Sequence, residues 1–160
     1  MRSFRSKYNI PPNVGIRYTA QGEWFDERKT TEVAIPMFAF IEGGMTIPMG
    51  TITRDFLRFF RLSPTQCAPN MFTVLGSIKA LNKRMNLNLT RHDVNWIYNL
   101  HNLKGQGYYL KSRHSEIRLI QCFPISNNGL KDDFLIFSGQ WHDGLPCPVK
   151  EGTPGGRLII

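Results

Sequence analysis

The chain has 160 residues, 41% hydrophobic and 12% aromatic, which is one ordinary domain with enough apolar material for a core and excludes wholesale disorder. Its 20 Lys and Arg against 12 Asp and Glu give a formal charge of +8, favouring nucleic acid, anionic membrane or acidic proteins as partners. Three cysteines without paired spacing exclude a disulfide scaffold.

Residues 1–7 are basic and are expected to be a disordered N-terminus. No apolar run follows them before Pro11-Pro12, so no secretory signal is read. A single domain is placed at 8–143. Val14-Gly15-Ile16-Arg17-Tyr18 alternates as a short strand does. Glu32 to Glu42 reads as a helix with Pro36 in its first turn, stopped by Gly43-Gly44.

Thr53 is a candidate cap for a helix running to about Leu62. Phe56, Leu57, Phe59 and Phe60 share one broad arc of its wheel. Arg54, Arg58 and Arg61, at i, i+4 and i+7, fall nearly opposite and predict a solvated arginine row. Ser63-Pro64 ends this helix. A longer helix follows over about 69–85, with Met71, Val74, Leu75, Ile78, Leu81 and Met85 as its stripe. Lys79, Lys83 and Arg84 lie on its polar surface, and Gly76 inside it predicts a close helix crossing.

Thr90-Arg91-His92-Asp93 resembles a capping box with Asp in the place of Glu. The helix it starts is expected to reach Leu103. Val94, Ile97, Tyr98 and His101 form one face and Trp96, Leu100 and Leu103 another, so it should pack between layers. After Gly105-Gln106-Gly107 the period changes from 3.6 to 2. Tyr108 to Arg113, Glu116 to Phe123 and Asp133 to Ser138 read as three strands whose short connections require antiparallel pairing. The expected fold class is α+β: an N-terminal helical cluster followed by a three-stranded antiparallel β-meander. Residues 144–160, rich in Pro and Gly, are expected to be a disordered tail.

Charge is unevenly placed. Gly44 to Lys131 holds 12 basic and 3 acidic residues, a local +9, while the remainder holds 8 basic and 9 acidic. The candidate nucleic-acid contacts are Arg54, Arg58, Arg61, Lys79, Lys83, Arg84, Lys111, Arg113 and Arg118, with Tyr108 and Tyr109 placed to stack on bases. The plain alternative is a solvated basic face. No run is long and apolar enough for a membrane helix.

Other chemistry is poorly supported. Cys67, Cys122, Cys147, His92, His101, His114 and His142 lack zinc-ligand spacing. No nucleophile elbow surrounds any cysteine. Asp55, Asp93 and Asp132 or Asp133 are available as a metal-binding trio of the transposase type. Asp55 reads as a helix-start residue, Asp93 as a cap partner and Asp132-Asp133 as a turn. Gly105-Gln106-Gly107 reads as a turn rather than a phosphate loop. No catalytic residue, metal, cofactor or small-molecule substrate is expected.

Several blocks stand in a familiar order. Thr46-Ile47-Pro48-Met49 precedes Phe56-Leu57-Arg58-Phe59-Phe60, and then Leu62-Ser63-Pro64-Thr65-Gln66-Cys67-Ala68-Pro69-Asn70. Gly107-Tyr108-Tyr109-Leu110 and Asp133-Phe134-Leu135-Ile136-Phe137-Ser138-Gly139-Gln140-Trp141 follow. This order resembles the plant gypsy-type transposon domain, a plant transposon protein family, over roughly 8–143. Leu62 to Asn70 is its most specific element. Two departures are Cys67, where the family has leucine, and Leu130-Lys131, where it has a tryptophan–lysine pair. The family carries no known catalytic residues to transfer. Its members often continue into a charged, coiled-coil-prone region, so this chain is expected to be a fragment or truncated copy.

The resemblance implies a non-enzymatic domain from a gypsy-type retrotransposon. It would bind RNA or DNA, or assemble with like chains or other element proteins, inside the cell, in nucleus or cytoplasm. The alternatives are a host-adopted protein-interaction module and, less favoured, a transposase or integrase fragment.

Overall fold

A computed structural model describes residues 2–19, 32–103, 107–117, 120 and 133–141. The elements are α1 (Arg2–Lys7), β1 (Val14–Tyr18), β2 (Val33–Pro36), α2 (Met37–Ile41), α3 (Thr51–Phe60), a 3₁₀ turn (Pro64–Gln66), α4 (Pro69–Met85), α5 (Arg91–Ile97), β3 (Tyr98–Leu103), β4 (Gly107–Ser112) and β5 (Phe134–Gly139). The fold is α+β with antiparallel sheets. Its strand order differs from a meander. β5 lies between β1 and β2 in one sheet, and β3 pairs with β4 in another.

Residues 2–7, expected to be disordered, form α1. Phe4 explains it: its ring meets Tyr8 at 4.6 Å and Phe40 at 5.5 Å, so the basic N-terminus is anchored by an aromatic cluster. Val14 to Tyr18 is a strand, as its alternation predicts, and pairs with β5 from Val14↔Gly139 to Tyr18↔Leu135. The helix expected over Glu32 to Glu42 is instead split at Pro36. Before it, Val33 to Pro36 form an edge strand on β5, where a missing N–H costs no ladder bond; after it comes the short α2.

α4 is the central helix, with Met71, Phe72, Val74, Leu75 and Ile78 buried. Its expected bounds hold. The stripe fades at its C-terminus, where Met85 is exposed. Gly76 does meet a close neighbour, but that neighbour is the Gly43-Gly44 turn rather than a helix: a Cβ there would stand 3.4 Å from the Gly44 carbonyl oxygen.

The block Leu62 to Asn70 is a joint. Ser63 and Gln66 form a capping box over the 3₁₀ turn, with the Ser63 N–H donating to Gln66 Oε1 at 2.8 Å. Cys67 then bridges Tyr108 in parallel, and Ala68 N–H donates to the Tyr108 carbonyl at 2.8 Å. Asn70, buried in the first turn of α4, donates from Nδ2 to the Leu110 carbonyl at 2.8 Å and accepts from its N–H at 3.3 Å. The amide side chain thus substitutes for one residue of a strand beside β4. Gly107 permits the approach: at φ +96° it brings β4 so close that a Cβ would lie 2.6 Å from the Gln66 carbonyl oxygen.

The Thr90–Asp93 capping box forms as expected. Asp93 Oδ2 accepts from the Thr90 N–H at 2.7 Å, and Thr90 Oγ1 from the His92 N–H at 3.2 Å. The helix ends at Ile97, however, and Tyr98 to Leu103 form β3 rather than its last turns. β3 runs against β4 from Tyr98↔Ser112 to Leu103↔Gly107. Of the strand expected over Glu116 to Phe123, Glu116, Ile117 and Ile120 are outside any strand, and the rest lies outside the described residues. So does the tail 144–160. Among the described residues no helix is long and apolar enough to cross a membrane.

Candidate nucleic-acid interface

The arginine row is not formed. α3 starts at Thr51, two residues before the expected cap, with Gly50 in the capping position. Arg54 is buried, 6% exposed, its Nε 3.6 Å from Asp55 Oδ1. Arg61 is off the helix. It takes the left-handed conformation, φ 53° and ψ 42°, its N–H donates to the Arg58 carbonyl, and Leu62 N–H donates to the Leu57 carbonyl at 2.9 Å. This is a Schellman closure with arginine where glycine is usual. Arg58 alone remains an exposed arginine on the helix face.

A different basic surface is built where α3, α5 and the end of β4 meet. The buried face of α3 is Ile52, Thr53, Arg54, Phe56 and Leu57, not the expected Phe56, Leu57, Phe59 and Phe60. It is centred on Phe56 and Leu57, with Phe60 half-buried, and leaves Phe59 56% exposed at its margin. The Arg91 guanidinium lies over the Phe59 ring, its carbon 3.8 Å from the centroid. Arg91 Nη2 also stands 3.1 Å from His92 Nε2; because guanidinium can only donate, that imidazole nitrogen accepts. Trp96 follows His92 by four residues, so the two are neighbours on one helical face. Val94, fully buried, holds the opposite face, and Trp96 is 79% exposed.

Arg113 closes the far end. Its backbone N–H donates to the Ile97 carbonyl at 2.8 Å and its Nε to the Asn95 carbonyl at 2.9 Å. The guanidinium thus stands at the last turn of α5, where the helix dipole favours a cation, and Arg113 as a whole bonds the carbonyls of both sequence neighbours of Trp96. The row reads Phe59, Arg91, His92, Trp96; Arg58 and Arg61 are exposed close to Phe59 in sequence, and Arg113 is bonded to the last turn of α5. Its nearest acid in sequence is Asp93, whose carboxyl is held below the usual range by the hydrogen bonds from the Thr90 backbone and hydroxyl. That carboxylate is turned to the cap of α5.

The remaining expected contacts are scattered. Lys79 stands at the N-terminal end of α3, over Gly50, donating to Thr46 Oγ1 at 3.0 Å. Lys83 and Arg84 are exposed on the last turn of α4, and Lys111 is exposed on β4 opposite Asn99. Arg118 lies outside the described residues. Tyr108 and Tyr109 are half-buried rather than free; Tyr109 packs on His101 at 5.5 Å. The acids weighed for catalysis are also apart in role. Asp93 caps α5, Asp55 neighbours Arg54, and Asp133 offers its backbone carbonyl to Met37. Among the described residues no three His, Cys, Asp or Glu side chains group to hold a metal ion. Cys67 is fully buried, its thiol donates to the Ser63 carbonyl at 3.4 Å, and burial pushes its pKa well up, away from nucleophilic chemistry.

Sequence reasoning missed Phe59, Arg91, His92 and Trp96 as surface groups. The signal was the period-two reading of Tyr98-Asn99-Leu100, which ends α5 before Leu100 can extend an apolar face through Trp96. Comparison with family models, curated proteins and solved structures finds no match to this chain.

Proposed function

We propose that this chain is a non-enzymatic nucleic-acid-binding domain of a plant gypsy-type retroelement, or of a copy of one. The origin rests on the resemblance over roughly 8–143, carried by the blocks from Thr46 to Trp141. The binding reading rests on one observation: on the α3–α5 surface the Arg91 guanidinium lies over the exposed Phe59 ring, with Trp96 on the same short helix largely in water. Guanidinium groups so placed meet phosphates, and phosphate contacts position a strand without reading its bases.

The test is the salt dependence of binding. Replacing Arg58, Arg61 and Arg113 together by Gln should lower the log–log salt slope by roughly 2 for a single strand and 2.7 for a duplex. Arg54 is left in place because it is buried. Equal affinities and equal slopes for the wild-type and triple-Gln chains would remove the reading. A protein-interaction module is the second reading, because an exposed tryptophan is also a common anchor between proteins. Self-association of nuclease-treated chain, lost in Trp96→Ala and without any salt-dependent nucleic-acid binding, would carry it instead.

A further inference from the structure

We infer that the α3–α5–β4 surface takes single-stranded nucleic acid in preference to duplex, with Phe59 and Trp96 as stacking platforms for unpaired bases. The inference rests on the binding reading above and adds the form of the ligand. Phe59 presents one ring face to the Arg91 guanidinium and keeps 56% of its surface in water. Trp96 keeps 79%. Phe59 is held from beneath by Phe60, whose ring meets it edge to face at 4.9 Å, and Val94, on the other side of α5, does the packing that leaves Trp96 in water.

The chemistry of the two ligand forms decides between them. In a duplex every base face is already stacked on its neighbours, so a protein ring finds only phosphates, sugars and groove edges. In a single strand the faces are open, and an aromatic side chain can stack on each without choosing a base. Arg91 is itself a flat cation, lying over one ring and in reach of His92, so the row runs ring, cation, ring, ring. Exposed Arg58 and Arg61 stand near Phe59 in sequence and Arg113 sits at the Trp96 end of α5, which suits a backbone running alongside the stacked bases. A charged face built for duplex phosphates alone gains nothing from a tryptophan in water.

The experiment uses the whole 160-residue chain. Anisotropy of labelled oligothymidine, oligouridine and a mixed-sequence duplex, each of roughly 20 nucleotides per strand, is measured at one salt concentration with wild type, Phe59→Ala, Trp96→Ala and Trp96→Phe. Both single strands should bind at least about tenfold tighter than duplex. Each alanine variant should weaken single-strand binding by roughly 5- to 150-fold, the range of one stacked base, and leave duplex binding unchanged. Trp96→Phe should recover most of the loss. A difference between the two single strands, which differ in the thymine methyl and in the 2′-hydroxyl, supports the inference either way, because both are unpaired. Both rings are exposed, so the variants should fold; identical unfolding curves check this. Equal binding of strand and duplex, with Trp96→Ala inert and the salt slope still dependent on the three arginines, overturns the inference and leaves the binding reading standing. No binding of any probe overturns both.

Discussion

Asn70 shows how one side chain can hold two layers together. It closes both hydrogen bonds of Leu110 from the first turn of α4, at 1% exposure. Asn70→Ala would strand a buried N–H and a buried C=O, and should lower stability by about 2–4 kcal/mol, read as a fall in the urea midpoint at unchanged m. Three positions earlier, Cys67 gives the joint a pH dependence. Its thiol stays protonated in the fold while the unfolded chain releases the proton near the ordinary value of 9.0, so the unfolded state gains above that pH. Wild type should lose up to about 1.4 kcal/mol per pH unit relative to Cys67→Ala as pH rises past 9.0. Parallel urea titrations of the two chains measure the difference, and parallel curves up to pH 10.5 (roughly one and a half units beyond the onset) would exclude it.

At the scale of elements, α5 depends on its start. It has seven residues, too few to persist alone, and the Thr90–Asp93 box satisfies its first N–H groups. Thr90→Ala should cost about 1 kcal/mol. The Asp93 carboxyl is depressed in the fold, so its contribution is present above its ordinary value of 3.8 and is lost as pH falls through the folded value. The melting-temperature gap between wild type and Asp93→Asn should therefore close below pH 3.8, as thermal scans at several pH values would show. Elements with a local chemical signature were legible: the alternation of β1, the bounds of α4, the box of α5, the α+β class. Elements decided by tertiary contact were not. Pro36 is compatible with a helix start or an edge strand, and only β5 selects the strand. Tyr98 to Leu103 carries apolar residues at helical spacing, and only pairing with β4 overrides it. The candidate surface was half legible: Arg58, Arg61 and Arg113 follow from charge, whereas Arg54 was lost to burial and Trp96 was concealed by the misplaced end of its helix.

At the scale of the molecule, two sheets and a central helix share one core, and β5 is the strand that both β1 and β2 require. Leu135, Ile136 and Phe137 are buried at its middle, and Phe40 stacks on Phe137 at 5.4 Å. A chain shortened to end before Asp133 would leave Val14, Val33 and Ile35 facing water. It should lose cooperative unfolding altogether, which a denaturant titration followed by near-ultraviolet circular dichroism would test; a retained single sharp transition would show that β5 is dispensable.

The central place of β5 also sets a timetable. Asn13 and Gln140, hydrogen-bonded side by side at the end of β1 and β5, are 127 positions apart. On a ribosome adding roughly 5–20 residues per second, the chain between Pro36 and Phe134 takes on the order of 5–20 s to emerge. Throughout that interval both early strands exist without the strand that pairs them, and their unpaired edges are open to other nascent chains. The joint at Leu62 to Asn70 can assemble meanwhile, because its partners Tyr108 and Leu110 precede β5 in the chain. Birth order thus divides the molecule into a half that folds as it is made and a half that waits, and the waiting half is where crowding or a holding chaperone would act.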